Sequence, residues 1–468
     1  MKALIVGAGA VGFQIARQLI AENRDVVVIE RDATVAEYVN NRLDCMVVND
    51  YGNNVEVLRR AGCETADFFI SVTGSDEINM IACAMASSEF DRPRTIARVR
   101  NIDYSSTRMS RKSFMGIDYI VNPEIEAASA LTRAIERGAM SDVMLFEETH
   151  VQIRSVTVDQ NSIFRDKTLE EVSAEVRVTF LVAVVLRQQD YIIPSGNTLI
   201  REGDVLYIVA TEKNFEYLFS ILGKHRQALN KVIIVGGGRI GTQVAEHLVY
   251  MRKNEGRGFR RLVSSMAHVP AKSIKFVERD YAKCKQLTER FPEALTINAD
   301  ISDEGVFEEE HFQNSDLVVA TTDNQEMNIV TAIYAKSMGI KRAVVLVNKA
   351  SYVKVASNLG IDVAVSLKHS TVNSILKFIR SGNVRSVHSI SDGKVEIIEI
   401  SVDEQSRTAG KKIQDIKLPQ NALIVSVIRN KEHIVPSGNF AIEPHDRLIV
   451  IANKEHIDFV QELFSPSS

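Results

Sequence analysis

The feature that most constrains this chain is that its second half repeats its first. Residues 3–12 read ALIVGAGAVG, and residues 232–241 read VIIVGGGRIG, 229 positions later. Residues 192–209, IIPSGNTLIREGDVLYIV, return at 434–451 as IVPSGNFAIEPHDRLIVI, 242 positions later. Between these anchors the order is kept. VVIE (27–30) pairs with KFVE (275–278), SVTGSDEIN (71–79) with ATTDNQEMN (320–328), and MGIDYIV (115–121) with LGIDVAV (359–365). The drift in offset places the largest insertion at about Arg252 to Ser273, a stretch that reads as a solvated surface excursion. Self-similarity in a fixed order marks a duplicated structural unit.

Within each copy the first ~140 residues alternate short apolar runs with helical segments; in the first copy these runs are ALIVG, VVVIE, CMVVND, FFISVT and TIARVR. Strands alternating with helices predict a parallel, doubly wound sheet. From about Glu148, and again from about Val387, alternating strands such as VQIRSVTV and VEIIEISV take over, each followed by a Pro-Ser-Gly-Asn turn. Proline presets one torsion there, and Gly or Asn tolerates a positive one. The expected fold is α/β, with two tandem Rossmann-like doubly wound parallel-sheet domains, each followed by a small α+β subdomain. The expected boundaries are 1–140, 141–225, 230–383 and 384–468, with a polar linker near Gly223 to Asn230.

Several classes of function are excluded early. A net charge of −4 argues against a basic nucleic-acid binder. The longest apolar stretch, Val178 to Leu186, falls well short of the ~20 residues a membrane helix needs. Gly7, Gly9 and Gly12 interrupt the apolar start and Arg17 follows too soon for a leader, which predicts a cytoplasmic chain. The four cysteines and ten histidines are scattered without metal-ligand spacing, so no metal site is expected.

The chemistry concentrates in two glycine loops. Gly7-Ala8-Gly9-Ala10-Val11-Gly12 joins an apolar strand to a helix, and Glu30 ends the next strand 18 residues beyond Gly12. Gly7 permits the tight turn, Gly9 lets a pyrophosphate approach the backbone, and Gly12 lets helix and strand pack closely. The phosphates would sit on unpaired amides at a positive helix end, with Glu30 on the adenine ribose hydroxyls. A carboxylate there argues against a 2′-phosphate, although Arg31 beside it can pair with phosphate or stack on adenine. Asp50 ends the third strand and faces the cleft as a ligand contact or a turn-capping residue. Thr73-Gly74 follows the fourth strand as a phosphate or ribose contact, with Asp76 and Asn79 read as starting or capping the next helix. Arg98 ends the fifth strand, where it needs an anion, either a ligand phosphate or a protein carboxylate. The second copy repeats the pattern as Gly236, Gly238, Arg239, Ile240 and Gly241, with Glu278, Asp300 and Thr322. There Leu346 falls opposite Arg98, and Leu367-Lys368 opposite Pro123-Glu124.

Taken together, the doubled order of these segments, with GAGAVG at residue 7 and ARVRN at 97–101, resembles the RCK (KTN) regulatory-domain family of potassium transport systems. The resemblance spans nearly the whole chain. It implies binding of NAD(H), or of ATP or ADP, and a non-enzymatic role. It also implies a homo-oligomer, a dimer or tetramer ring, docked on a membrane-embedded potassium channel subunit of the Trk type, at the inner face of the cell membrane. The family's nucleotide contacts carry over to Gly7 through Gly12, Glu30, Thr73-Gly74 and Arg98, and to the second glycine loop with Glu278. The competing readings are an NAD-dependent oxidoreductase and a regulator of a different cation transporter. Against the first, no His/Asp, Lys or Cys constellation can be assembled in 139–222 or 383–464, and His150 and His388 are more simply surface residues. Apolar stripes in 124–138 and 368–382 read either as contacts between the two copies or as packing on each copy's own sheet.

Overall fold

The computed structural model describes all residues except 102–103, 105–114, 137–142, 146–150, 177, 189, 222–228, 256–272, 304, 380–383, 391–394, 420, 431 and 466–468. The core of the expected insertion, most of the expected linker and His150 therefore lie outside the described residues, as does the side chain of His388.

Four sheets follow one another along the chain. The first contains β1 (Lys2–Val6), β2 (Asp25–Glu30), β3 (Met46–Asn49), β4 (Phe68–Ser71), β5 (Arg94–Arg98) and β6 (Tyr119–Val121), parallel in the order β3-β2-β1-β4-β5-β6. The second contains β7 (Val143–Leu145), β8 (Val151–Thr157), β9 (Leu181–Arg187), β10 (Asp190–Ile192) and β11 (Val205–Thr211), antiparallel in the order β10-β9-β11-β8-β7. The third contains β12 (Lys231–Val235), β13 (Ser273–Glu278), β14 (Leu295–Asn298), β15 (Leu317–Ala320), β16 (Arg342–Val347) and β17 (Val363–Ser366). It repeats the parallel order of the first as β14-β13-β12-β15-β16-β17. The fourth contains β18 (Val384–Ile390), β19 (Val395–Ser401), β20 (Ala422–Arg429), β21 (Glu432–Ile434) and β22 (Arg447–Asn453), antiparallel in the order β18-β19-β22-β20-β21. The parallel order is that of a doubly wound dinucleotide-binding sheet. Its strand order reverses beside the first strand, and ligands collect at the carboxyl edge there.

The chain forms two compact units that do not coincide with the two copies. One joins Met1–Ser141 to Ala228–Ile379, the other Asp142–Gln227 to Arg380–Ser468. In the first unit each parallel sheet is covered on one face by its own helices. On the other face it is covered in part by the last helix of the other copy. Helix Pro123–Glu136 leaves β6, yet its Ala127, Ala128, Leu131 and Ile135 are buried among Val232, Phe276, Val319 and Leu346 of the third sheet. Reciprocally, helix Leu367–Ile379 leaves β17, yet its Val372, Ile375, Leu376 and Ile379 are buried among Ile5, Val28, Ile70 and Ile96 of the first sheet. Phe378 stacks on Tyr119 at 4.5 Å, and the Tyr119 hydroxyl bonds Ser374 at 2.7 Å. Fully burying a Leu or Ile side chain is worth about 1.5–3 kcal/mol, so each exchanged helix holds its host sheet substantially.

In the second unit the two antiparallel sheets share an apolar layer, with Ile153, Val184 and Val209 of one against Ile397, Ile449 and Ile451 of the other. Each sheet's other face is closed by local helices through Phe215 and Leu218, or Val460 and Phe464. A matched ion pair locks the turn before the last strand of each of these sheets, β11 and β22, which lie at the sheet centres. Gly203 and His445 take left-handed torsions, φ +85° and +67°, and deliver the buried Asp204 and Asp446. Arg187 donates Nε and Nη2 to both carboxylate oxygens of Asp204 at 2.8 and 2.7 Å, and Arg429 does the same to Asp446.

Candidate functional site

The glycines of the first loop do different jobs, and the geometry separates them. Gly7 sits at φ +94°, where a side chain is strained, and a Cβ there would come 3.0 Å from the Thr73 amide nitrogen. A Cβ on Gly12 would lie 1.9 Å from the Gly7 carbonyl oxygen. Protein packing alone demands both. Gly9 is extended, at φ −60° and ψ −178°, and a Cβ there would meet no atom within 4 Å. Gly9 precedes helix Ala10–Ala21 with no side-chain cap, so the helix presents free amides. Ala10 is exposed and Val11 is buried in the core. The protein fold therefore gives no reason for glycine at position 9; a ligand pressed against the backbone does. The residues fit a pyrophosphate.

A cleft of about 530 Å³ opens in front of this loop, lined by Gly7, Gly9, Glu30, Arg31, Asp50, Tyr51, Thr73 and Gly74 among others. The Glu30 carboxylate accepts from the Ala8 N–H at 2.6 Å and from the Asp32 N–H at 2.9 Å, which fixes it beside the loop. Asp50 pairs with Arg60 at 2.8 Å. The N–H of Tyr51, and then Arg60, hold its carboxyl below the usual range.

Asn79 organises the far wall and does not cap the helix, because Ser75 holds that position. Fully buried, its Oδ1 accepts from the Thr73 N–H at 2.8 Å and the Thr73 hydroxyl at 2.7 Å. Its Nδ2 donates to the Arg98 carbonyl at 2.8 Å. Asp76 opens the helix as expected, and its carboxylate accepts from the Arg100 and Asn101 amides. Arg98 turns toward the same wall. Its Nη1 donates to the Thr73 carbonyl at 3.2 Å, and its buried Nε has no hydrogen-bond partner. Burial, helped by Arg100, lowers its pKa to about 10, so it remains charged at neutral pH.

The second cleft is built on the same frame. Gly236 takes φ +98°, a Cβ on Gly241 would lie 2.1 Å from the Gly236 carbonyl, and a Cβ on Gly238 would meet nothing within 4 Å. Glu278 accepts from the Gly237 N–H at 2.8 Å. Asn328 repeats the role of Asn79, accepting from the Thr322 N–H and hydroxyl and donating to the Leu346 carbonyl. That last bond fixes Leu346 in the place of Arg98, and Leu346 is buried. Asp300 bonds Ser302. Ile240 packs against the core. The guanidinium of Arg239 meets Glu124 of the first copy's exchanged helix at 3.3 Å.

The sequence pointed to both glycine loops and their acids, but not to Asn79 and Asn328 as wall-builders or Glu124 as a neighbour of the second loop. The matched asparagines closing SVTGSDEIN and ATTDNQEMN carried the signal for the first pair. Among the described residues no group of three His, Cys, Asp or Glu is placed to hold a metal ion, and no helix is long and apolar enough to cross a membrane.

Comparison with known proteins agrees with this architecture. The TrkA-N domain model matches residues 3–123 and 256–367, and the TrkA-C domain model matches 153–223 and 397–465. The Trk system potassium uptake protein TrkA of Halomonas elongata is 32% identical over 476 residues, covering 99% of this chain and 98% of that protein. TrkA homolog 1 of Methanosarcina mazei is 30% identical over 470 residues, covering 99% and 100%. Among solved structures, the GsuK channel superposes with a TM-score of 0.57 at 18% identity, over 98% of this chain and 77% of that one. The GsuK channel bound to NAD gives 0.54 at 18%, over 99% and 78%. At that identity the likeness speaks for the fold. With each domain type matched twice and the relatives aligned end to end, the chain belongs to the TrkA family of Trk-system potassium uptake proteins.

Proposed function

We propose that this chain is a non-enzymatic regulatory subunit that senses NAD(H) or adenine nucleotides in its two clefts and gates a membrane potassium-uptake channel from the cytoplasmic face. Its four segments, 1–140, 141–225, 230–383 and 384–468, act as two nucleotide-binding and two C-terminal RCK subdomains. The chain works as a homo-oligomer. The observation that carries the reading is the open space at Gly9 and Gly238, where glycine is explained by a phosphate and not by packing. The names of the relatives supply the potassium system, and the NAD of the GsuK channel supplies the ligand class.

When bound, the dinucleotide supplies a signal. The chain's contribution is to hold its pyrophosphate on the loop amides and its adenine ribose on Glu30 or Glu278, with Asp50, Thr73-Gly74 and Arg98 completing the first site. A ligand shifts a two-state assembly only by its differential affinity, so several coupled sites make the switch decisive.

Gly9→Val tests the reading. It should abolish NADH binding in the first cleft by calorimetry while leaving the thermal melt unchanged, and it should blunt the nucleotide response of potassium flux through the reconstituted channel. Undiminished NADH binding would remove the cradle assignment. Steady NADH oxidation with carbonyl substrates would instead point to an oxidoreductase.

A further inference from the structure

The two clefts share a frame but differ in the charge brought to them, and part of that charge comes from the other copy. Arg239 is the first residue of helix Arg239–Glu255 and lies inside the second glycine loop. Its guanidinium is paired with Glu124, 115 positions earlier in the chain, at 3.3 Å. Glu124 is not a drifting surface side chain. It is one-quarter exposed, and it stands in the first turn of a helix whose Ala127, Ala128 and Leu131 are buried in the second module's core. The helix start is itself closed by Asn122, whose Oδ1 accepts from the Glu124 and Ile125 amides at 2.9 and 3.1 Å. The Glu124 carboxylate is therefore left to act on its neighbours, Arg239 by direct contact and Arg98 of the first cleft through space. At the matching position of the other exchanged helix stands Lys368.

Deepening the nucleotide reading proposed above, we infer that Glu124 is a specificity residue of the second cleft, delivered by the exchanged helix, that turns this cleft against highly charged nucleotides and leaves it to dinucleotides. The second cleft lacks the arginine that Arg98 provides to the first, and Glu124 ties up the one its loop carries. A phosphate chain on the loop amides must then take Arg239 from Glu124 and stand beside a carboxylate. The resulting repulsion grows with ligand charge. Free ATP carries about four negative charges and NADH two, so the cost falls mainly on ATP.

The test uses the full chain carrying Gly9→Val, so that the second cleft alone reports, in magnesium-free buffer with chelator. Calorimetry with ATP and with NADH is compared with and without Glu124→Gln. Removing the charge should raise ATP affinity about tenfold and NADH affinity only about threefold, by the scaling of Coulomb energy with charge. Glu124→Asp should keep the parent preference, and matching thermal melts should show an intact fold. An unchanged ratio of ATP to NADH affinity would overturn the inference, as would weaker ATP binding in Glu124→Gln. If the second cleft binds neither nucleotide in any variant while the first cleft of the unsubstituted chain binds NADH, this inference falls and the nucleotide reading stands. If the unsubstituted chain binds nothing, that reading falls with it.

Discussion

Arg98 shows how much one side chain can be asked to do. It is a half-buried cation hydrogen-bonded to a carbonyl, with its Nε unbonded and only the through-space charges of Asp76 and Glu124 to set against burial. Burying a charge with so little compensation is costly unless an anion completes the site. Arg98→Ala should therefore leave the melting temperature unchanged or raised. It should weaken NADH binding ten- to a hundredfold, the equivalent of losing one charge-assisted hydrogen bond of about 1.5–3 kcal/mol. Calorimetry and a thermal melt on the same samples decide this; unaltered affinity would make Arg98 a structural residue. At this scale the sequence was legible where a residue type has few alternatives. Glycine at a left-handed torsion, or an acid closing the second strand, has one common explanation. Asn79 was not legible, because asparagine near a helix start usually caps it. Only the fold shows that the side chain is buried and spans two strands.

Among the elements, the parallel strands could be read directly, since runs such as ALIVG and VVVIE suit a sheet covered on both faces. The exchanged helices were legible as helices with apolar stripes, but not in destination. A period of 3.6 residues says that a face is buried, not which sheet buries it. The Arg187–Asp204 and Arg429–Asp446 locks were hidden for a related reason, as each joins residues 17 apart whose pairing depends on strand register. Asp204 offers a test. Burial opposes its ionisation, but Arg187 and the Arg201 N–H override this and hold its carboxyl below the usual range. A lowered folded-state pKa gives stability that is present above the unfolded value near 3.9 and lost as pH falls through the folded one. Asp204→Asn should cost about 3 kcal/mol at pH 7 by leaving Arg187 unpaired. The difference from the parent should shrink below about pH 4. Denaturant melts at the two pH values measure it, and a pH-independent gap would show that the ionised pair is not the source.

For the whole molecule, the duplication was plain in the sequence, whereas the grouping into units was not. The chain passes from the first compact unit to the second, back, and out again. Residues 1–225 and 226–468 should consequently behave as complementary halves. Expressed together as separate polypeptides they should copurify in equal amounts, since each half lacks one sheet cover and carries the other's. Expressed alone, each half should pair with itself or precipitate. A monodisperse monomer of either half by light scattering would contradict the exchange.

The exchange also bears on how such a chain can have diverged from its duplicated ancestor. Inward residues of helices Pro123–Glu136 and Leu367–Ile379 answer to sheets encoded in the opposite half of the gene, so a mutation in one half is screened by the other. Drift of the inner faces is thereby slowed in both halves at once. Helix tips and cleft rims are under no such joint restraint. The tip of the exchanged helix is one such place, with glutamate at 124 against lysine at 368. A change of inner face must suit both halves of the gene, whereas a change at a helix tip need suit only one.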